Sequence, residues 1–476
     1  MTVVAPAPAP APAVASAPLR AAGIAATAPD GRDRSLDLLR AGCTVLVVLL
    51  HAMMVGVTVV DGAPVFANAL ETAWFAPVSW FAQMMPLFFL AGGATGLGAW
   101  RRARARGTSA GAFAAGRVQR LIGPALTVML VMGAGLLALT IAGVPADIVA
   151  TAGFRMSQPL WFLGVFALVQ ALVPAMAALH ERRPVWGVAG PLVAVIAIDV
   201  ARLATGIEGI GFLGLAAVWL LVQQLGFLLA DGGLEALSRD ARLGIATGAL
   251  ALLLLLTTVG PYSPDMYVNL NPPTLALVLL GAVQLALFSL AQPALRRIAR
   301  VRPIAAIADA IGERSMTIYL WHMPVLIGLA GLGAALSLAD ALPLPELGSP
   351  AWWATRPVWL VIAGVAVAAV VAGAGRLPHA KTRPVAGGAR GAVAAVFGVA
   401  AVAVVFVLGL SWAVAGLSAA LMALALRFAA APGDNPPPRA GRRPHYASAG
   451  RAARWDHPRG GRGSDQGLTR ERRARP

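Results

Sequence analysis

Long apolar runs recur along this chain, and they limit what it can fold into more than any other feature. A transmembrane helix needs about 20 largely apolar residues. Such runs lie at about 37–60, 78–100, 121–143, 160–179, 185–205, 210–230, 243–260, 273–292, 315–338, 352–374 and 391–426. The last would be about 54 Å long as one helix, so it reads as one overlong span or as a tight helical hairpin. Eleven spans result, or twelve. Only 12% of residues are charged, against 58% apolar, where soluble domains carry about a quarter charged residues. A soluble enzyme is excluded. The expected fold is an all-α, polytopic membrane helix bundle of about 10–12 spans with no soluble globular domain. Cys43 is the single cysteine, which excludes a disulfide framework and any Cys-based metal site. No metal is expected.

The formal net charge of +17 could mark a nucleic-acid binder, but the charges are distributed as a topology signal. With residue 1 on the cytoplasmic side, cytoplasmic segments carry 22 basic residues, including Arg101, Arg102, Arg104, Arg106, Arg117 and Arg120. The opposite side has Arg155, Arg202 and Arg356. Cytoplasmic loops of membrane proteins are enriched in Arg and Lys, so the expected location is the cell membrane, multi-pass, with the N-terminus cytoplasmic. Four regions follow. Residues 1–35, with the Ala-Pro repeat Ala5 to Pro12, read as a disordered cytoplasmic arm, not a cleaved leader, because such a repeat favours polyproline II. Residues 36–375 form the membrane domain. Residues 376–426 supply a cytoplasmic loop and a further span or hairpin, and 427–476 an Arg-, Pro- and Gly-rich tail too poor in apolar residues to fold alone.

Ionisable groups inside a span are costly, about 2.5–3.5 kcal/mol at the centre on insertion scales, so they mark candidate functional positions. They are Asp37, Arg40 and His51 in span 1, Asp199 in span 5 and His322 in span 9. Arg40 and His51 lie eleven residues apart, three turns plus about 20°, hence on one helical face and about 16 Å apart along the axis. Asp37 and Thr44 lie near that face. A lone Arg at a helix end commonly snorkels, and a lone His often bonds a neighbouring helix; alignment of both on one stripe favours function. His322 stands about 10 Å into its apolar run, beside Tyr319 and Trp321. Asp199 and Arg202, three apart, read as a surface ion pair. Arg117 and Arg120, also three apart, present two guanidinium forks suited to phosphate.

These positions fall into motifs. Arg40 followed by ten residues and His51, with Leu36-Asp37-Leu-Leu-Arg40 upstream, resembles the Arg-X10-His motif of acyltransferase family 3, multispan membrane enzymes that O-acylate sugars and related metabolites. Pro86-Leu-Phe-Phe-Leu-Ala-Gly92 resembles that family's second-span signature. Arg117-Val-Gln-Arg120 fits its cytoplasmic Arg-x-x-Arg, Pro159-Leu-Trp161-Phe-Leu its mid-chain Leu-Trp-Phe, and Tyr319-Leu-Trp-His322-x-Pro324 its late Tyr-Leu-x-His-x-Pro. The second-span serine is absent here, replaced within Ala91-Gly92-Gly93.

The resemblance implies transfer of an acetyl or other short acyl group from cytoplasmic acyl-CoA, a co-substrate and no permanent cofactor. The acceptor would be a hydroxyl of a sugar, polysaccharide, glycolipid or related metabolite. His51 and Arg40 would be catalytic, His51 either deprotonating the acceptor hydroxyl or briefly carrying the acyl group. Arg117 and Arg120 would bind the donor, and Asp37, Tyr319, His322 and Trp161 would line the pocket. Expected partners are the lipid bilayer, the donor and a hydroxyl-bearing acceptor, with no nucleic acid. If transfer needs a further hydrolase-like domain, another polypeptide must supply it. The competing reading is a secondary transporter without acyl transfer, against which the two halves share no repeat. A catalytically dead scaffold fits less well, since the span 1 motif is intact.

Overall fold

A backbone in lipid must satisfy its own N–H and C=O groups, which restricts spanning segments to helices or closed barrels. The protein takes the helical solution. The computed structural model describes residues 33–375 and 384–431. The expected arm at 1–35 lies almost wholly outside them, as do the tail beyond 431 and part of the loop after 375. Twelve helical segments among the described residues are long and apolar enough to cross a membrane.

They run in sequence as α1 (Arg34–Met54), α2 (Phe75–Ala82) and α3 (Met85–Ala105), α4 (Ala110–Ile141), then α5 (Ala146–Ser157) and α6 (Leu160–Ala171). Next come α7 (Val173–Arg182), α8 (Pro184–Thr205), α9 (Gly214–Ala230), α10 (Arg239–Thr258), α11 (Leu275–Ile298) and α12 (Arg302–Leu338). The last three are α13 (Pro350–Ala374), α14 (Gly388–Leu408) and α15 (Trp412–Ala429). The face where α1 begins is called the near face, and the opposite one the far face.

Three features differ from the sequence reading, and a fourth decides between its two alternatives. Span 1 stops at Met54, and an antiparallel hairpin, β1 (Val55–Val60) paired with β2 (Ala63–Asn68), follows it. Its turn is Asp61-Gly62 with φ of 50° and 74°, the two left-handed positions that a tight right-twisted hairpin requires. The run at 391–426 is a helical hairpin: α14 ends at Gly409, whose φ of 73° no helix continues, and twelve spans result. Helix α12 begins at Arg302, three turns before the apolar run, with Pro303 in its first turn. Finally, Asp199 does not pair with Arg202. Arg202 Nη1 donates to Glu208 Oε2 at 3.1 Å, whereas the buried Asp199 Oδ2 accepts from Tyr262 Oη at 2.6 Å and Leu275 N at 2.9 Å.

Buried amides join the helices. Gln83 fills the break between α2 and α3: its Oε1 accepts from Met85 N at 3.2 Å, and its backbone carbonyl accepts from Gln284 Nε2 at 2.8 Å. Gln170 Nε2 donates to Gly92 O, and Gln223 Nε2 to Val169 O. Small residues permit the close approach that membrane helix packing favours; a Cβ on Gly93 would stand 2.5 Å from the Gln223 carbonyl oxygen. Helix α1 is fixed at both ends. At its start Asp33 Oδ2 accepts from Arg296 Nη2 at 2.8 Å and Gln292 Nε2 at 2.9 Å, and Arg34 Nη1 reaches both oxygens of Asp309 at 2.7 and 2.8 Å. Burial works to raise the Asp33 pKa, but hydrogen bonds from Arg296 and Ser35 outweigh it and hold the carboxyl below its ordinary value. At the other end Trp359 Nε1 donates to Ala52 O at 2.8 Å.

Candidate active site

Clamping α1 against α12 places His51 opposite His322. Their Nδ1 and Nε2 atoms are 3.1 Å apart, and the ring centroids 5.0 Å. His322 is fully buried and its Nδ1 faces two carbonyl oxygens, Tyr319 O at 2.6 Å and Ile318 O at 3.3 Å. That nitrogen therefore carries the hydrogen. In a neutral ring the His322 Nε2 is then an acceptor, so His51 Nδ1 donates to it. The remaining His51 nitrogen, Nε2, keeps its lone pair. Two residues 271 positions apart in sequence thus fix one tautomer, an arrangement in which a histidine can take a proton from a substrate.

Arg40 sits three turns below His51 on α1. Thr44, between them, donates to the Arg40 carbonyl at 2.9 Å. Arg117 and Arg120 lie in the opening turns of α4, which starts at Ala110. Arg117 stacks over the Phe113 ring, 4.8 Å to its centroid, and both Arg40 and Arg120 are near enough to repel it electrostatically. Three guanidiniums from two helices thus gather toward the near face, an arrangement that an anion stabilises.

Tyr319 Oη donates to Pro159 O at 2.5 Å, and its ring meets Phe162 edge-on at 5.2 Å. Trp161, by contrast, is half-buried and stacks with Trp219 at 6.1 Å. Its neighbour Phe162 is the residue that turns toward Tyr319. Asp37 lies in the first turn of α1. A cavity of about 500 Å³ lies elsewhere, on the far face, bordered by Arg202, Glu208, Tyr262 and Asn271. Neither histidine borders it.

Sequence reasoning missed a polar network at the near face. Arg101 binds Asp231 through both terminal nitrogens and Glu181 through Nε at 3.1 Å, and Arg104 adds a second hold on Glu181 at 2.8 Å. His180, 6% exposed, meets Gln224 Oε1 and Asp231 Oδ2, each at 3.1 Å. Burial would raise the Asp231 pKa, yet hydrogen bonds from His180 and Arg101 hold it down to about 2. The only sequence signal was the basic cluster itself; its carboxylate partners come from α7 and from the residue after α9. No group of three or more His, Cys, Asp or Glu that could hold a metal occurs among the described residues.

Together these features define a class: a polytopic membrane protein with a paired histidine inside the bundle and a cluster of guanidiniums nearer its surface. The model of the acyltransferase 3 family, described as an acyltransferase domain, matches residues 33–375, and the chain belongs to that family. Membership implies acyltransferase activity. The matched segment spans α1 to α13 and leaves the α14–α15 hairpin, which packs against α4, beyond it. No curated protein and no solved structure matches the chain.

Proposed function

We propose that the protein moves an acetyl or other short acyl group from cytoplasmic acyl-CoA to a hydroxyl of a sugar, polysaccharide, glycolipid or related metabolite at the cell membrane. The near face is the cytoplasmic one in this reading, supported by the 22 basic residues assigned to that side. The observation that carries it is the His51–His322 hydrogen bond, 3.1 Å long, above Arg40, Arg117 and Arg120. Coenzyme A carries several phosphates, and a guanidinium cluster suits them. Its thioester then lies along the α1 stripe between Arg40 and His51.

In the reaction His51 Nε2 accepts the acceptor's hydroxyl proton as the oxygen attacks the thioester carbonyl carbon. The new C–O bond forms, the C–S bond breaks, and the departing CoA thiolate takes the proton back from His51. Ester and free CoA thiol result, and His51 returns to its starting tautomer. His322 is a positioning residue that acts through His51, and Arg40 orients the thioester or its phosphates. General base catalysis of this kind contributes about 10²–10⁴-fold.

Membrane vesicles containing the protein test the reading against the transporter alternative. Radiolabelled acetyl-CoA added on the near-face side should yield esterified label with no net movement of solute. Solute flux without esterified product would refute it.

A further inference from the structure

A second, much smaller cavity of about 20 Å³ lies between α1, α3, α6 and α12. Thr44, Val47 and Val48 line its α1 side, and Tyr319 its α12 side. Val48 and Val47 precede His51 by about 4.5 and 6 Å of helix rise, and Tyr319 precedes His322 by one turn. The cavity therefore sits directly beneath the histidine pair, on the side of Arg40. In the proposed donor reading, a thioester whose phosphates rest among the guanidiniums presents its acyl group there.

Its walls are apolar and braced. Phe162 forms one wall, fixed edge-on by Phe88 at 5.4 Å and Tyr319 at 5.2 Å and stacked on Phe166 at 5.3 Å. The two hydroxyls at the rim are committed elsewhere, Thr44 Oγ1 to the Arg40 carbonyl and Tyr319 Oη to that of Pro159. Both hydroxyl hydrogens are thus spent, so a carboxylate-bearing acyl chain would find no hydrogen-bond donor in it, and burying a charge unpaired is unfavourable. The volume is little more than the roughly 10–15 Å³ that one water requires, and such an apolar void stays dry. It has room for a methyl group and not for a longer alkyl chain.

We propose that this cavity receives the methyl end of the donor's acyl group, and that Phe162 sets the chain length by closing it, so that the donor is an acetyl thioester. The inference rests on the reading of His51 as the transfer residue and of acyl-CoA as the donor. It goes further by assigning the acyl class and the residue that selects it.

The full-length protein in native membrane vesicles, supplied in turn with acetyl-, propionyl-, butyryl-, hexanoyl- and succinyl-CoA, provides the test through release of free CoA thiol. One methylene in a fitted apolar pocket discriminates by about 10–200-fold. Acetyl-CoA should therefore be the best donor, butyryl- and hexanoyl-CoA should fall by at least about tenfold, and succinyl-CoA should be rejected. Phe162→Ala should move the preference to butyryl- or hexanoyl-CoA. Phe162→Leu, a smaller change for the fold, should move it in the same direction by a shorter step. Equal use of all chain lengths by the wild type, or an unaltered profile in a Phe162→Leu variant that is present at wild-type levels, overturns the pocket alone. Release of CoA from none of the thioesters overturns the donor reading and the pocket with it.

Discussion

Replacing His322 by phenylalanine keeps an aromatic ring in a fully buried position and removes two nitrogens. The Tyr319 carbonyl, bonded at 2.6 Å, retains its place in the α12 ladder, but the His51 Nδ1–H loses the acceptor it had at 3.1 Å. A buried donor left unsatisfied costs about 1–3 kcal/mol. His51 can escape that cost by moving its hydrogen to Nε2, which disables the atom that accepts the substrate proton in the proposed reaction. The predicted result is a fall in kcat of about 5- to 160-fold, since about 1.4 kcal/mol is tenfold, with the KM for acetyl-CoA unchanged. Glutamine at the same position can offer Oε1 to His51 and should recover part of the rate. The assay is initial-rate esterification from radiolabelled acetyl-CoA in vesicles, normalised to protein abundance. Full activity in His322→Phe refutes the reasoning, and an equal loss in the Phe and Gln variants would show that His322 acts through the fold alone.

Three further outcomes follow from the same geometry. Arg117→Ala and Arg120→Ala should each raise the apparent KM for acetyl-CoA by about 10- to 150-fold, the worth of a charged hydrogen bond of about 1.5–3 kcal/mol, with kcat little changed; an unchanged KM reduces both residues to topology signals. Asp231→Asn should lower thermal stability in detergent at pH 7 by about 1 kcal/mol, discounted for solvent screening of a carboxylate 34% exposed. Because the folded pKa of about 2 lies below the unfolded 3.8, that contribution is present above about pH 4 and vanishes as pH falls through 2; melting curves that differ equally at pH 7 and pH 2 contradict the linkage. Gly93→Val should push α3 from α9, since its Cβ would stand 2.5 Å from the Gln223 carbonyl. A cost of about 1–3 kcal/mol should appear as a lower melting temperature and less monodisperse protein.

Charges embedded in apolar runs are conspicuous, which is why Arg40, His51 and His322 could be singled out from the chain alone. Their alignment on α1 is local geometry, fixed by helical period. The bond between His51 and His322 is not local, and no periodicity reports a contact across 271 positions. Trp161 shows the same limit at short range. A helix turns about 100° per residue, so the buried Phe162 meets Tyr319 and lines the small cavity, while the half-buried Trp161 stacks with Trp219. The hairpin after Met54 carried a legible signal in Asp61-Gly62, but its apolar strands extend the span 1 run without interruption and hid it. Asp199 went to Tyr262 and the Leu275 amide, and not to Arg202, because a buried carboxylate satisfies itself on whatever donors the neighbouring elements bring. The Asp231 network depended on helix packing for its partners and was illegible for that reason.

The central claim is that His51 performs acyl transfer at the end of a donor path through the bundle. Its most direct measurement is the esterification rate of His51→Ala in vesicles, with Arg117→Ala as a companion and membrane insertion checked by extraction and abundance. The account predicts that His51→Ala loses about 10²–10⁴-fold in kcat at normal abundance and still retains radiolabelled acetyl-CoA, whereas Arg117→Ala retains it poorly. Wild-type esterification by His51→Ala would contradict the account.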